Sequence, residues 1–131
     1  MWNIHSMRKK YVVVSDAILS HELDMLVLTE LWHQAATDVS VLRSIPPEYS
    51  ILDRPRSDSS GYGGSIIYHR TSLRVKPIAL TSTPATFEAL AVSVMSAHGP
   101  YMVLAVYRLG SSPHTSAFCK EFTSVLEQFT L

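Results

Sequence analysis

A single carboxylate follows a short apolar segment near the start of the chain. Residues 25–28 read Met-Leu-Val-Leu, and Thr29, Glu30 and, after one leucine, Trp32 come next. An acid just beyond a buried strand is well placed to line a cleft, where it meets water and ligands. Because Mg²⁺ takes oxygen ligands and often only one or two from the protein, Glu30 is a candidate metal ligand. An ordinary surface glutamate at a strand–helix junction would show the same spacing.

Two further segments carry groups that suit nucleic acid or phosphate. In SSGYGGS, residues 59–65, the glycines allow a positive φ and would present the ring of Tyr62 to solvent, where it can stack on a base. A plain β-turn is the alternative. In AVYRLG, residues 105–110, the Tyr107 phenol and the Arg108 guanidinium can together orient and neutralise a phosphate. A strand-end tyrosine half in the core fits that segment equally well.

Several enzyme classes have no support in the motifs. The six histidines form no His-Glu-x-x-His or Cys/His zinc pattern, and there is no Gly-x-Ser-x-Gly nucleophile elbow. The glycine-rich loop matches neither the phosphate-binding loop with its Lys-Ser/Thr pair nor the dinucleotide fingerprint.

Helices and strands alternate along the predicted secondary structure. Ser6 is the expected cap of the first helix, and Pro77 favours an edge position for the strand that contains it. The predicted elements are strand 2–5, helix 7–23, strand 25–28, helix 33–44, strands 49–54, 65–70 and 73–80, a hairpin of 87–95 with 101–108, and helix 112–131. The predicted apolar stripe of the first helix is Val12, Val13, Ala17, Ile18 and Leu19, with Tyr11 and Val14 at its border. The hairpin interrupts the alternation, so we expect an α/β fold with a mixed sheet and flanking helices.

The amino-acid composition limits the class of protein and its expected location in the cell. The 131 residues suit one domain or part of one, and 47% hydrophobic with 17% charged residues excludes a disordered or fibrous chain. Basic and acidic residues number 11 each, so any nucleic-acid affinity has to come from a local patch. The sequence has one cysteine, and we find in it no apolar run of membrane-spanning length and no signal peptide. We therefore expect an intracellular protein, in the nucleus or cytoplasm, that is neither secreted nor membrane-bound.

Five segments in order resemble the opening half of the endonuclease/exonuclease/phosphatase superfamily, and most of all the endonuclease domains of LINE-type (non-LTR) retrotransposons. Those domains begin with an Asn-bearing strand, continue with a TETW-like motif and a glycine-rich segment, and have a strand that ends in Tyr-Arg-Pro-Pro. The segments are WNIHSMRKK, LDMLVLTELW, PPEYSILDRPRSDSSGYGGSIIYHR, FEALAVSV and VLAVYR. Each is weak alone, and their common order makes the resemblance specific.

The resemblance implies a DNase I-like four-layer α/β/β/α sandwich and hydrolysis of DNA phosphodiesters that depends on Mg²⁺ or Mn²⁺. Asn3 matches the first-strand Asn that helps to shape the metal and phosphate site. Glu30 matches the metal-binding Glu, and Tyr107 matches the strand-end Tyr near the phosphate. Tyr62 lies in a loop where relatives place a DNA contact, and Arg108 follows Tyr107 as in the retrotransposon group.

The sequence departs from the family in two ways. Residues 107–110 read Tyr-Arg-Leu-Gly in place of Tyr-Arg-Pro-Pro, and the Gly-Asp-Phe-Asn and Ser-Asp-His segments, which supply the base and orient the nucleophile, are absent. We therefore expect residues 1–131 to form a truncated domain without its C-terminal half and with an incomplete active site, inactive alone. An exposed half-core is expected to favour self-association.

Two other functions remain open at this stage. The chain could be a non-catalytic nucleic-acid-binding or interaction module that uses Tyr62 and a set of basic residues. These are Arg54, Arg56, Arg70 and Arg74; Arg56 and Arg108 are the candidate DNA contacts among the arginines. It could also be a phosphatase-like relative, which hydrolysis of a soluble phosphomonoester but not of DNA would indicate.

Overall fold

The computed structural model describes residues 1–31, 38–54, 64–108 and 115–130. In chain order the elements are β1 (Trp2–Asn3), α1 (Tyr11–Ser20), β2 (Met25–Thr29), α2 (Val39–Ser44), β3 (Tyr49–Arg54), β4 (Ser65–Arg70), β5 (Arg74–Ile78), β6 (Glu88–Ser96), β7 (Gly99–Tyr107) and α3 (Ser116–Glu127). None of the helices in these ranges is long and apolar enough to cross a membrane.

The strands form two sheets. The first has the order β1-β2-β4-β3, in which β1 and β2 are parallel and the other neighbours are antiparallel. The second is the antiparallel sheet β5-β6-β7, built on the β6–β7 hairpin. The strand that contains Pro77 lies at an edge of its sheet, where the missing N–H breaks no interior ladder. The predicted mixed sheet and hairpin are therefore confirmed.

The strand β4 is buried on both faces, and this determines the layering. Ile66 and Tyr68 point to one side, into a core shared with α1 and α2. Ile67 points to the other side and packs against Val92 and Val94 of the second sheet. Because neighbouring side chains of a strand point to opposite faces, a strand between two cores is apolar at nearly every position. The run SIIYHR has this composition.

Helix α3 covers the outer face of the second sheet. Its Phe118 and Phe122 meet Phe87 edge to face, with ring centroids 5.5 and 6.0 Å apart, and Val125 is buried in the same cluster. Thr115 caps the helix by accepting a hydrogen bond from the Phe118 N–H. The layers are thus α1 and α2, the first sheet, the second sheet, and α3, so the predicted α/β/β/α sandwich is confirmed.

The buried face of α1 differs from the predicted one. Val14 and Ile18 are fully buried, whereas Val12, Val13 and Leu19 are 56%, 52% and 51% exposed. Apolar residues surround this helix, so their spacing alone does not select a face. The selection comes from the first sheet, whose apolar side chains meet the stripe that includes Val14 and Ile18.

The predicted start of the first helix is also wrong. Helix α1 begins at Tyr11 after Lys10, and Ser6 instead accepts a hydrogen bond from the Arg8 N–H in the preceding turn, at 3.4 Å. Helix α2 begins at Val39, where the Asp38 carboxylate accepts from the Ser40 N–H at 2.9 Å. The earlier part of the predicted helix 33–44 falls on residues 32–37, outside the described ranges.

In the described ranges the apolar faces of the two sheets pack against each other, and the expected exposed half-core stays a prediction. Most exposed large apolar side chains in these ranges lie on α1, on α2 and near the β6–β7 turn, for example Val39, Leu42 and Met102; Met1 and Leu126 of α3 are exposed as well. Self-association stays a prediction, and those surfaces are the ones that would mediate it.

A buried pair of hydroxyl groups ties α2 to β4. Ser44 donates its only hydroxyl hydrogen to the Val41 carbonyl at 2.5 Å, so the Tyr68 hydroxyl, 2.5 Å from Ser44 Oγ, has to be the donor of that second bond. Burial raises the pKa of Tyr68 to about 12, and the nearby charge of Asp53 adds to the rise.

This raised pKa predicts a loss of stability in alkali. Unfolded tyrosine ionises near pH 10 while folded Tyr68 stays neutral to about pH 12, so the free energy of unfolding falls by about 3 kcal/mol across that interval. We expect Tyr68→Phe to lack this loss and the exposed Tyr101→Phe control to keep it, measured by urea unfolding at pH 9, 10, 11 and 12. Equal pH slopes for Tyr68→Phe and the unsubstituted chain would contradict the assignment.

Candidate functional site

Strained backbone marks the ends of β1 and β2. Of the non-glycine residues with positive φ in the described ranges, Glu22 and Glu48 lie in turns, and the other three are His5 (51°), Ser6 (88°) and Glu30 (59°). The Ser6 N–H donates to the Glu30 carbonyl at 2.7 Å, so the two strained segments hold each other. Left-handed conformations of residues with a Cβ cost about 1–2 kcal/mol each, and such strain concentrates at functional sites.

The two sheets meet at the side chain of Glu30. This residue follows the last residue of β2, and its Oε1 accepts a hydrogen bond from the phenol of Tyr107, the last residue of β7. Tyr107 is 8% exposed, and the Glu30 side chain is 14% exposed. Two of the predicted site residues, 77 positions apart in the sequence, are therefore brought into direct contact.

The second oxygen of Glu30 lies on the other side of the carboxylate. His5 Nδ1 lies against Glu30 Oε2, and the two form an ion pair when the imidazole is protonated. The contact does not have the geometry of a hydrogen bond, so Oε2 is buried and accepts no hydrogen bond. The neighbouring Thr29 Oγ1 is also buried without a hydrogen-bond partner. Buried oxygens in this state suit a bound cation or water, so the donor chemistry fits a divalent ion. No cluster of three His, Cys, Asp or Glu side chains occurs within the described ranges, and water would supply the remaining ligands.

Asn3 lies beside this carboxylate on the neighbouring strand. The parallel register pairs Asn3 with Thr29, one residue before Glu30, and the Asn3 side chain is exposed. Asn3 is thus an exposed residue at the strand end next to Glu30.

Arg108 is on a different face from Tyr107. Its guanidinium lies over the Phe118 ring, 4.8 Å from the centroid, on the side of the second sheet that α3 covers. Because successive strand residues point to opposite faces, adjacent Tyr107 and Arg108 do not converge on one phosphate. A DNA contact by Arg108 stays a prediction.

Tyr62 and Arg56 lie outside the described residues, but the two residues that flank their segment are at the site end of the sandwich. The Arg54 guanidinium donates to the Ala89 carbonyl, and the Gly64 N–H donates to Glu88 Oε2 at 3.0 Å. Glu88 pairs in register with Tyr107. Both strand ends are therefore tethered to β6 next to the tyrosine.

Three basic residues of the alternative binding module lie in the described ranges, and these do not form one patch. Arg54 is at the site end of the first sheet, whereas Arg70 is at the opposite end, where its guanidinium pairs with Asp24 at 2.9 Å. Arg74 is on the other sheet.

Sequence reasoning missed His5 and Glu88 as parts of this site, and it considered Arg54 only as part of the alternative binding module. Glu88 opens a predicted strand whose partner ends at Tyr107, so hairpin register could have revealed it. No sequence signal predicts the left-handed backbone that turns His5 toward Glu30.

Structural comparison places this architecture among known folds. The AP endonuclease LMAP from Leishmania major superposes with a TM-score of 0.62 and 17% sequence identity, over 98% of this chain and 44% of that one. The 3′ phosphatase NExo from Neisseria, bound to a product DNA hairpin, superposes with a TM-score of 0.64 and 19% identity, over 98% of this chain and 49% of that one. The chain has part of a DNase I-like fold.

The likeness is one of fold and covers part of each relative. The chain spans less than half the length of these DNase I-like proteins. No protein-family model and no curated protein matches the sequence. The resemblance to retrotransposon endonucleases therefore stays a prediction.

The contact between Glu30 and Tyr107 predicts energetic coupling. A hydrogen bond to a partly buried carboxylate contributes about 1.5–3 kcal/mol, so a double-mutant cycle of Glu30→Ala, which removes the acceptor, and Tyr107→Phe is expected to give a coupling energy in that range by urea unfolding. The matched cycle with Tyr101→Phe, on the same strand but exposed, is expected to give none. Additive effects of the first pair would show that the contact does not form in solution.

Proposed function

We propose that this chain provides the metal- and phosphate-binding half of a DNA phosphodiesterase site, of LINE-type endonuclease ancestry and dependent on Mg²⁺ or Mn²⁺. The observation that carries the proposal is the Glu30 carboxylate, which the phenol of Tyr107 holds from the opposite sheet at the strand ends. LMAP is named as an AP endonuclease and NExo as a 3′ phosphatase with product DNA bound, and both support DNA as the substrate class.

Each residue has a separate role in this proposal. Glu30 would hold a cation with its carboxylate, whose Oε2 accepts no hydrogen bond, while the phenol of Tyr107 fixes the carboxylate through Oε1. The exposed amide of Asn3 is available to a phosphate oxygen beside it. A bound divalent cation would neutralise the charge that develops on the phosphate.

We propose that the chain alone does not hydrolyse DNA. In-line attack on phosphorus needs a positioned water and a base as well as charge neutralisation. Asn3, Glu30 and Tyr107 supply binding and orientation only. The function that would remain is cation-assisted binding of DNA.

Two alternatives stay open beside this proposal. A phosphatase-like activity toward small phosphomonoesters has the support of NExo, which is named as a 3′ phosphatase. A non-catalytic interaction module would bind DNA without any need for Glu30.

A nicking assay tests whether the chain alone hydrolyses DNA. Supercoiled plasmid is incubated with the chain or with Glu30→Gln in Mg²⁺ or Mn²⁺, and we expect no nicked circle from either. Nicking by the unsubstituted chain that Glu30→Gln abolishes would show that the described half already contains a working base and water site.

A binding assay tests the role of the carboxylate. Because a cation held by Glu30 would neutralise charge on a bound phosphate, Mg²⁺ in place of EDTA is expected to strengthen binding of a fluorescent DNA duplex by about fivefold or more, measured by anisotropy at fixed ionic strength. Glu30→Gln is expected to lose this dependence. Binding of equal strength with and without Mg²⁺ would favour the interaction module.

A further inference from the structure

We infer that His5 is a second protein ligand of the cation and, with Glu30, gives a mixed nitrogen and oxygen site that prefers borderline transition metals to Mg²⁺. The inference rests on the proposed role of Glu30 and adds a ligand to it. Three observations support it: the backbone conformation of His5, the placement of its imidazole ring, and the chemistry of the neighbouring Glu30 carboxylate.

The backbone of His5 is held in an unusual conformation that directs the ring toward Glu30. His5 and Ser6 both have positive φ, at 51° and 88°. Hydrogen bonds on either side fix this turn, from the Ile4 N–H to the Thr29 carbonyl at 3.1 Å and from the Ser6 N–H to the Glu30 carbonyl at 2.7 Å. The conformational cost is thus retained at consecutive residues that bring an imidazole against a carboxylate.

The imidazole and the carboxylate present suitable donor atoms to each other. His5 Nδ1 lies against Glu30 Oε2, which is buried and accepts no hydrogen bond. Ligand nitrogen and oxygen atoms bind zinc-like ions at about 2.0–2.2 Å, so two adjacent ligands of one ion lie about 3 Å apart. The His5 side chain is 64% exposed and can turn outward by the small amount required, whereas the Glu30 side chain is 14% exposed and is held by Tyr107.

The exposure of His5 also leaves room for the rest of the coordination sphere. Solvent reaches the imidazole side of the pair, so water can occupy the positions that no side chain fills. Imidazole suits zinc, copper, iron and nickel, whereas Mg²⁺ favours oxygen ligands alone. We therefore expect affinity to rise from Mg²⁺ through Mn²⁺ to Co²⁺ and Ni²⁺.

The test is calorimetric titration of the DNA-free chain with Co²⁺ and, separately, with Mg²⁺. The variants are His5→Asn, Glu30→Gln and, as the matched control, His98→Asn, an exposed histidine in the β6–β7 turn at the far end of the second sheet. We expect one Co²⁺ per chain, a loss of at least about tenfold in Co²⁺ affinity for His5→Asn, a smaller loss for Mg²⁺, and no change for His98→Asn. Circular dichroism verifies that each variant is folded.

Each other outcome has a distinct meaning. If Glu30→Gln loses Co²⁺ while His5→Asn retains the original affinity, His5 is not a ligand and the proposed role of Glu30 stands. If both variants retain Co²⁺, both proposals fail. Equal losses for Mg²⁺ and Co²⁺ in His5→Asn would refute the metal preference, and absence of Co²⁺ binding by the unsubstituted chain would refute the site.

Discussion

The packing of the two sheets against each other is the constraint on which the site depends. Ile67 on one sheet and Val92 and Val94 on the other are fully buried in the layer between them. Their close packing sets the separation of the sheets, because interior side chains leave little free volume. Only at that separation does the phenol of Tyr107 reach the carboxylate of Glu30, since the two residues belong to different sheets.

Strand register then determines which residues surround this contact. Parallel pairing of β1 with β2 places Asn3 beside Thr29, and the β6–β7 hairpin places Glu88 beside Tyr107. A shift of one residue in either register would turn these side chains to the opposite face. Hydrogen bonds between the strands and apolar packing between the sheets therefore bring the site residues together.

Much of this arrangement follows from local sequence. Strands β3 and β4 begin and end at the predicted residues, because strand-forming runs there are bounded by proline- and glycine-rich segments. The buried face of α1 could not be predicted, since apolar residues lie on more than one side of it and the facing sheet decides between them. The separation of Tyr107 from Arg108 was predictable in principle, because adjacent strand residues alternate in direction.

The part of the site that was hardest to predict is its irregular backbone, even though Glu30 itself was a predicted site residue. His5 and Glu30 both depend on a positive φ, and such conformations arise from tertiary hydrogen bonds rather than from the preference of the residue itself. Their side chains end in mutual contact, and Oε2 of the carboxylate is left buried without a hydrogen bond. A fold that retains backbone strain and an unsatisfied oxygen at one place gives up stability there. A bound ligand, as we propose, would offset this cost, so the proposed function follows from the junction of β1 and β2 more than from any single motif.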